Sequence, residues 1–200
     1  RYAPTSLDFG TTYFWKVGHF REGGINFAPA FSTTTTAGTL TGTFSVGPTG
    51  TYASLNAAFT DLTTNGFAGN VILELEQAYV STVEPANGLQ IPTNAGPNNT
   101  LTIRPQAGVA TPVSISRTVI GTSGATLNFL GSSWVTVDGR PGGVGTSRML
   151  IIENTSNSLT AGTAAIRFGA TTQIADSRFN TIKYCDVRGS GLGQAANSNG

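Results

Sequence analysis

Leu101-Thr-Ile103, Val113-Ser-Ile115, Thr126-Leu-Asn-Phe129, Val135-Thr-Val137, Leu150-Ile-Ile152, Ala165-Ile-Arg-Phe168 and Thr181-Ile-Lys-Tyr184 decide how this chain folds. Each places two apolar side chains at period 2, the repeat of a strand with one buried face. Pro105, Gly108, Gly121, Gly124, Gly131, Asp138-Gly139, Pro141-Gly-Gly143, Asn154, Gly169 and Gly189 break the segments. The segments are too short, and the breaks too irregular, for a run of two-residue hairpins. No long helical pattern lies between them, which excludes alternating β and α units. A solenoid satisfies both facts, because each coil stacks on the one before and pairs with it in parallel. The expectation is an all-β chain with Val, Ile and Leu inside and Asn and Thr available for ladders between coils.

Upstream stands one convincing helix. Leu55, Ala58, Phe59 and Leu62 fall at i, i+3, i+4 and i+7, a single apolar stripe. Ser54 is a good N-cap and Asn65-Gly66 supplies the left-handed stop, so a helix is predicted at about 54–64. Asn70-Val-Ile-Leu-Glu-Leu-Glu-Gln77 then alternates as a strand with Val71, Leu73 and Leu75 inward.

The first 37 residues read as a hairpin. Leu7 to Val17 alternates, His19-Phe-Arg-Glu-Gly-Gly24 is the expected turn, and Ile25 to Phe31 the return strand. Ser32-Thr-Thr-Thr-Thr-Ala-Gly-Thr-Leu-Thr-Gly-Thr43 lacks charge and a repeating apolar face. Residues 38–50 are therefore expected to be a Thr/Gly-rich linker, with a continued edge strand as the alternative.

Composition bounds the function. Charged residues make up 10% of the 200, against roughly 25% in an ordinary soluble domain. Gly (26), Thr (31), Ser (16) and Asn (14) fill their place. A net charge of +1 offers no basic face for nucleic acid. Mean hydropathy is +0.01, and no apolar run is long enough for a membrane helix. Residue 1 is Arg with no signal-peptide pattern behind it. Cys185 is the one cysteine, which excludes an internal disulfide and reads as a small core residue.

Two resemblances follow from quoted residues. Leu7, Gly10, Thr11 and Tyr13, with the Trp15/Val17 alternation behind them, resemble the last two strands and tyrosine corner of a fibronectin type III domain. Tyr52, Ser54, Leu55, Ala58, Gly66, Val71, Leu73 and Leu75, followed by the coil-like repeat Asn180-Thr-Ile-Lys-Tyr-Cys-Asp-Val187, resemble the start of a pectin-lyase-like right-handed parallel β-helix. In that superfamily the short helix caps the open end of the solenoid. Val135-Thr-Val-Asp-Gly-Arg-Pro-Gly-Gly143 is similar to a segment of large surface proteins of Bacteroidetes-type bacteria that leave the cell by type IX secretion. The resemblance implies an extracellular or cell-surface location and a multidomain parent. Its units would be the end of an Ig-like domain (1–37), a linker (38–50), and a β-helix (51–200) that continues beyond residue 200.

Candidate chemistry is sparse. Glu74 and Glu76 share a strand face at roughly 7 Å, a separation within reach of a glycosidase pair, yet alternation alone puts both in solvent. Asp138-Gly139 is compared with the Ca²⁺-binding aspartates of pectate lyases, but one Asp falls short of a Ca²⁺ site and fits an Asx turn. Asp176 and Asp186 sit in no acidic cluster. Arg104, Arg117, Arg140, Arg148, Arg167, Arg178 and Arg188 with Lys183 give residues 100–190 a charge of +4. A face of that kind could hold an acidic polysaccharide or supply a lyase base, or simply solubilise the surface.

His19 is the one histidine, so no His-dependent triad can form. Asn180-Thr181 is followed by Ile182, unlike the Asn-Thr-Asp step of polygalacturonases, and Gly139–Gly145 is no phosphate loop. Asn98-Asn-Thr100 and Asn154-Thr-Ser156 are formal glycosylation sequons. No catalytic, cofactor or metal residue is assigned. The expected function is a non-catalytic structural or adhesive module, with the rest of its own chain or an assembly as partner and polysaccharide as candidate ligand. The alternative is a polysaccharide lyase or glycoside hydrolase whose active site lies on coils outside this segment. A further expectation is that 1–200, cut from its parent, exposes apolar rows at both ends and aggregates on its own.

Overall fold

The structure is a computed structural model and describes residues 12–15, 18–21, 24–27, 31–34, 39–119, 124–156, 163–169 and 177–189. It is β-rich, with most strands in parallel sheets. Leu7, Gly10, Thr11, Val17, Asp176 and the stretch after Gly189 lie outside the described residues, as do the side chains of Tyr13, Trp15 and His19.

The first four strands pair in nested antiparallel order, the order of the expected hairpin. β2 (Gly18–Arg21) pairs with β3 (Gly24–Phe27), placing Arg21 opposite Gly24 and His19 opposite Asn26. β1 (Thr12–Trp15) pairs with β4 (Phe31–Thr34), placing Trp15 opposite Phe31. The expected turn at His19–Gly24 is thus mostly strand, and the reversal falls between Arg21 and Gly24. The aromatic β-formers at 14, 15 and 20 outweigh the two glycines as a local signal.

The expected linker at 38–50 also needs correcting. β5 (Leu40–Val46) is the edge strand of a parallel sheet, in register with β6 (Phe67–Leu75) from Gly42↔Val71 to Val46↔Leu75. Threonine's stiff branched side chain suits an exposed strand face, and Val46 and Phe44 supply its apolar contacts to the core.

The remaining strands are β7 (Leu89–Gln90), β8 (Leu101–Pro105), β9 (Val113–Arg117), β10 (Gly124–Leu130), β11 (Val135–Asp138), β12 (Leu150–Asn154), β13 (Thr163–Gly169), β14 (Thr181–Lys183) and β15 (Cys185–Arg188). They fall into three parallel sheets, ordered β5-β6-β8-β11-β14, β7-β10-β13 and β9-β12-β15. From β8 onward the chain visits the three in fixed rotation. Side chains line up across each sheet as columns: Leu73, Ile103, Val137 and Ile182; Leu89, Leu127 and Ile166; Ile115, Ile152 and Val187. The inner members of each column are fully buried, and each such side chain is worth roughly 1.5–3 kcal/mol.

Helix α1 (Leu55–Asn65) covers one end of these columns, packing against β5, β6 and β7. The buried residues are Leu55, Ala58, Phe59 and Leu62, the stripe read from the sequence. Ser54 Oγ accepts from Ala57 N at 3.0 Å. Gly66, at φ 68°, ends the helix by donating to Leu62 O. Tyr52 ties the entering chain to the helix, its hydroxyl donating to Asp61 at 2.5 Å.

Corners between sheets are tight. Among the described residues, Trp134, Phe179 and Tyr184 are the non-glycine residues with positive φ. Each stands where one left-handed residue turns the chain into the next strand. Asn180 secures its corner by accepting from Val135 N at 3.1 Å and donating to Ser132 O at 2.8 Å.

Candidate functional site

The outer face of the five-stranded sheet carries the densest group of charged side chains. Register places Glu74 (β6), Arg104 (β8), Asp138 (β11) and Lys183 (β14) in one row across four strands, with alternating sign. Period-2 alternation explains why: each follows an inward Leu, Ile or Val by one residue. Arg104 donates Nε and Nη2 to Glu74 Oε1 at 2.9 and 2.7 Å. Lys183 Nζ lies 3.4 Å from Asp138 Oδ2.

Asp138 is the hub of the row. Its side chain is 5% exposed and receives Arg140 Nε on Oδ1 at 2.9 Å and Arg140 Nη2 on Oδ2 at 2.7 Å. Arg140 N also donates to Oδ1 at 3.2 Å, an Asx turn. Burial pushes the Asp138 carboxyl up, but the Arg140 hydrogen bonds and the Lys183 charge outweigh it and hold the group below its usual range. The Arg140 guanidinium lies over the Tyr184 ring, 4.6 Å from its centre. Gly139 is required here, since a Cβ at that position would meet Tyr184 O at 1.9 Å. Behind the row, burial and then the Asp138 charge raise the Cys185 thiol to about 11, so it stays protonated at neutral pH.

Glu74 and Glu76 do not act together. Glu74 belongs to the row, while Glu76 accepts from Thr49 N at 3.1 Å and Thr49 Oγ1 at 2.8 Å. The solvated face expected for them is instead half-buried and paired. Among the arginines, Arg117 donates to Ser81 O and Pro85 O, and Arg188 pairs with Asp186. These cations are committed to their own chain. Among the described residues no group of three His, Cys, Asp or Glu could hold a metal ion.

Two buried polar residues hold the fold in ways the sequence did not show: Glu84 carried no local signal, and Asn154 read as a sequon. Glu84, 3% exposed, accepts from Leu55 N at 2.6 Å, Asn56 N at 3.0 Å and the Tyr79 hydroxyl at 2.9 Å. It places a carboxylate on the first turn of α1 from 29 residues downstream, and no local signal marks it. Asn154 is fully buried and bridges three segments: Nδ2 donates to Val119 O and Ala164 O, and Oδ1 accepts from Val119 N and Ser156 N. Its sequon is therefore inaccessible in the folded chain, whereas Asn98 is exposed.

No family model, curated protein or solved structure matches this chain.

Proposed function

We propose that the chain is a non-catalytic structural module of a large secreted or cell-surface bacterial protein, built as a right-handed parallel β-helix with α1 as its cap. The supporting observation is the fixed rotation of the chain through three parallel sheets whose inward side chains stack into continuous apolar columns. Parallel crossovers are right-handed in nearly all known cases, which sets the hand of the coil. The charged row supports the non-catalytic half of the reading. Glu74, Arg104, Asp138, Arg140 and Lys183 are paired with one another, which commits their charges to the outer face of the sheet rather than to a substrate. The module's work is then to hold distance and shape between neighbouring domains.

The test incubates the chain with polygalacturonate and with alginate, each with Ca²⁺, and follows unsaturated product by ultraviolet absorbance. Absorbance should stay at background. Turnover above background that Arg104→Ala or Lys183→Ala abolishes would overturn the non-catalytic reading and favour a lyase.

A further inference from the structure

An Asn-Gly pair is chemically labile, because the glycine nitrogen meets no side chain on its way to the asparagine carboxamide. Such pairs stand at Asn65-Gly66, Asn87-Gly88 and Asn199-Gly200, the last outside the described residues. The fold treats the first two differently. Asn65 ends α1, where its Nδ2 donates to Asp61 Oδ1 and its carbonyl accepts from Thr39 N at 3.1 Å. Gly66 N donates to Leu62 O at 3.0 Å, and Gly66 O accepts from Leu40 N at 3.2 Å. Asn87 instead occupies the third position of a turn closed by one bond, from Gly88 N to Pro85 O at 3.1 Å. It is exposed, and among the described residues no hydrogen bond holds its carboxamide. Packing also fixes its neighbour. Gly88 is buried at φ 86°, where a Cβ would meet Ala125 O at 1.9 Å, so no residue with a side chain can follow Asn87 and shield it.

We propose that Asn87-Gly88 is a self-modification site, converting to isoaspartate and thereby loosening β7 from its sheet. Gly88 N, its proton taken by solvent base, attacks Asn87 Cγ. The N–Cγ bond forms, the Cγ–Nδ2 bond breaks, and ammonia leaves with that proton returned to it. Water then opens the cyclic imide. Attack at Cγ gives aspartate on the original main chain; attack at the main-chain carbonyl gives isoaspartate, with a methylene added to the backbone. The balance is one water consumed and one ammonia released, with nothing oxidised or reduced. The added methylene falls just before β7, which pairs with β10 only through Leu89↔Leu127 and Gln90↔Asn128. Leu89 and Ile91 are fully buried, and Ile91 N donates to Asn128 O at 3.0 Å. A longer and newly charged turn cannot keep both the close approach of Gly88 to Ala125 and that register.

The test incubates the 200-residue chain at mildly alkaline pH, folded and in urea. Released ammonia gives the extent, and peptide mapping with isoaspartyl methyltransferase labelling gives the position. In the folded chain Asn87 should convert about tenfold faster than Asn65, since its turn opens at lower free energy. In urea, where the fold no longer separates them, the two should convert at similar rates. Hydrogen exchange on the converted protein should show the Ile91 amide less protected. Asn87→Gln, whose extra methylene slows ring closure, should keep the thermal transition, give no product at this position and hold its Ile91 protection on ageing. Folded-state conversion at Asn65 as fast as at Asn87, an Asn87 that reacts only in urea, or a converted chain with Ile91 fully protected would each overturn the proposal.

Discussion

Replacing Glu84 separates a buried structural carboxylate from a surface one. Glu84→Ala removes three acceptor contacts: those to Leu55 N, Asn56 N and the Tyr79 hydroxyl. Tyr79 is itself buried, and stranding its hydroxyl costs about 1–3 kcal/mol. Losing the anion and hydrogen bonds at the first turn of α1 costs about 1–2 kcal/mol more. Removing a buried charge returns part of its desolvation penalty, so the net expected loss is about 3 kcal/mol. Glu84→Gln keeps the shape and one acceptor oxygen but turns the other group into a donor facing N–H. It should lose about 1–2 kcal/mol. Urea unfolding followed by fluorescence reads both values, and Tyr79→Phe combined with Glu84→Gln should lose less than the sum of the singles. Glu76→Ala, which frees only exposed Thr49 contacts, is the comparison at under about 1 kcal/mol. A Glu84→Ala loss no larger than that of Glu76→Ala would refute the claim that a distant carboxylate anchors the helix.

The other expectations concern the charged row and the interior. Asp138 is held below its usual value of 3.8, so its stabilising effect is complete above about pH 4 and fades as pH falls toward the folded-state value. Asp138→Asn should therefore be less stable than wild type at pH 7, with the gap narrowing in acid unfolding series. The Cys185 thiol, raised to about 11 from 9.0, keeps the neutral form in the fold, so wild-type stability should begin to decline above about pH 9, whereas in Cys185→Ala the decline should begin only near pH 10, where Tyr52 and Tyr79, both raised in the fold, start to ionise in the unfolded chain. At pH 8 the thiol should react with iodoacetamide far more slowly folded than in urea. Ile152→Ala, at a fully buried column position, should cost about 2–5 kcal/mol by chemical denaturation. Asn154→Ala, stranding the backbone groups of Val119, Ala164 and Ser156, should cost about 2 kcal/mol.

Local pattern was sufficient wherever the physical cause is local. The stripe Leu55, Ala58, Phe59, Leu62 with Ser54 and Gly66 specifies a helix and its ends, because periodicity, cap and stop act within a few residues. The period-2 segments specify strands and their inward residues for the same reason, and Leu101, Ile103, Val113, Ile115, Val135 and Val137 are all buried. Thr-rich 40–46 was ambiguous, since threonine fits a solvated connection and an edge strand alike; only the apolar edge of β6 waiting beside it makes the strand the better state.

What tertiary structure alone decided is every meeting of residues some 30 or more positions apart. Strand register brings Glu74, Arg104, Asp138 and Lys183 into one row, and no feature near any of them announces the other three. The turn at Glu84 reaches α1 only because the sheet has already carried the chain back past it. Asn154 looks like a surface sequon until its three neighbouring segments are in place. Backbone conformation is chosen by side chains within a turn of helix or a strand's length, so it can be read along the chain. Charge pairing and burial of polar groups depend on which strand lies beside which, and that is settled by packing the whole core.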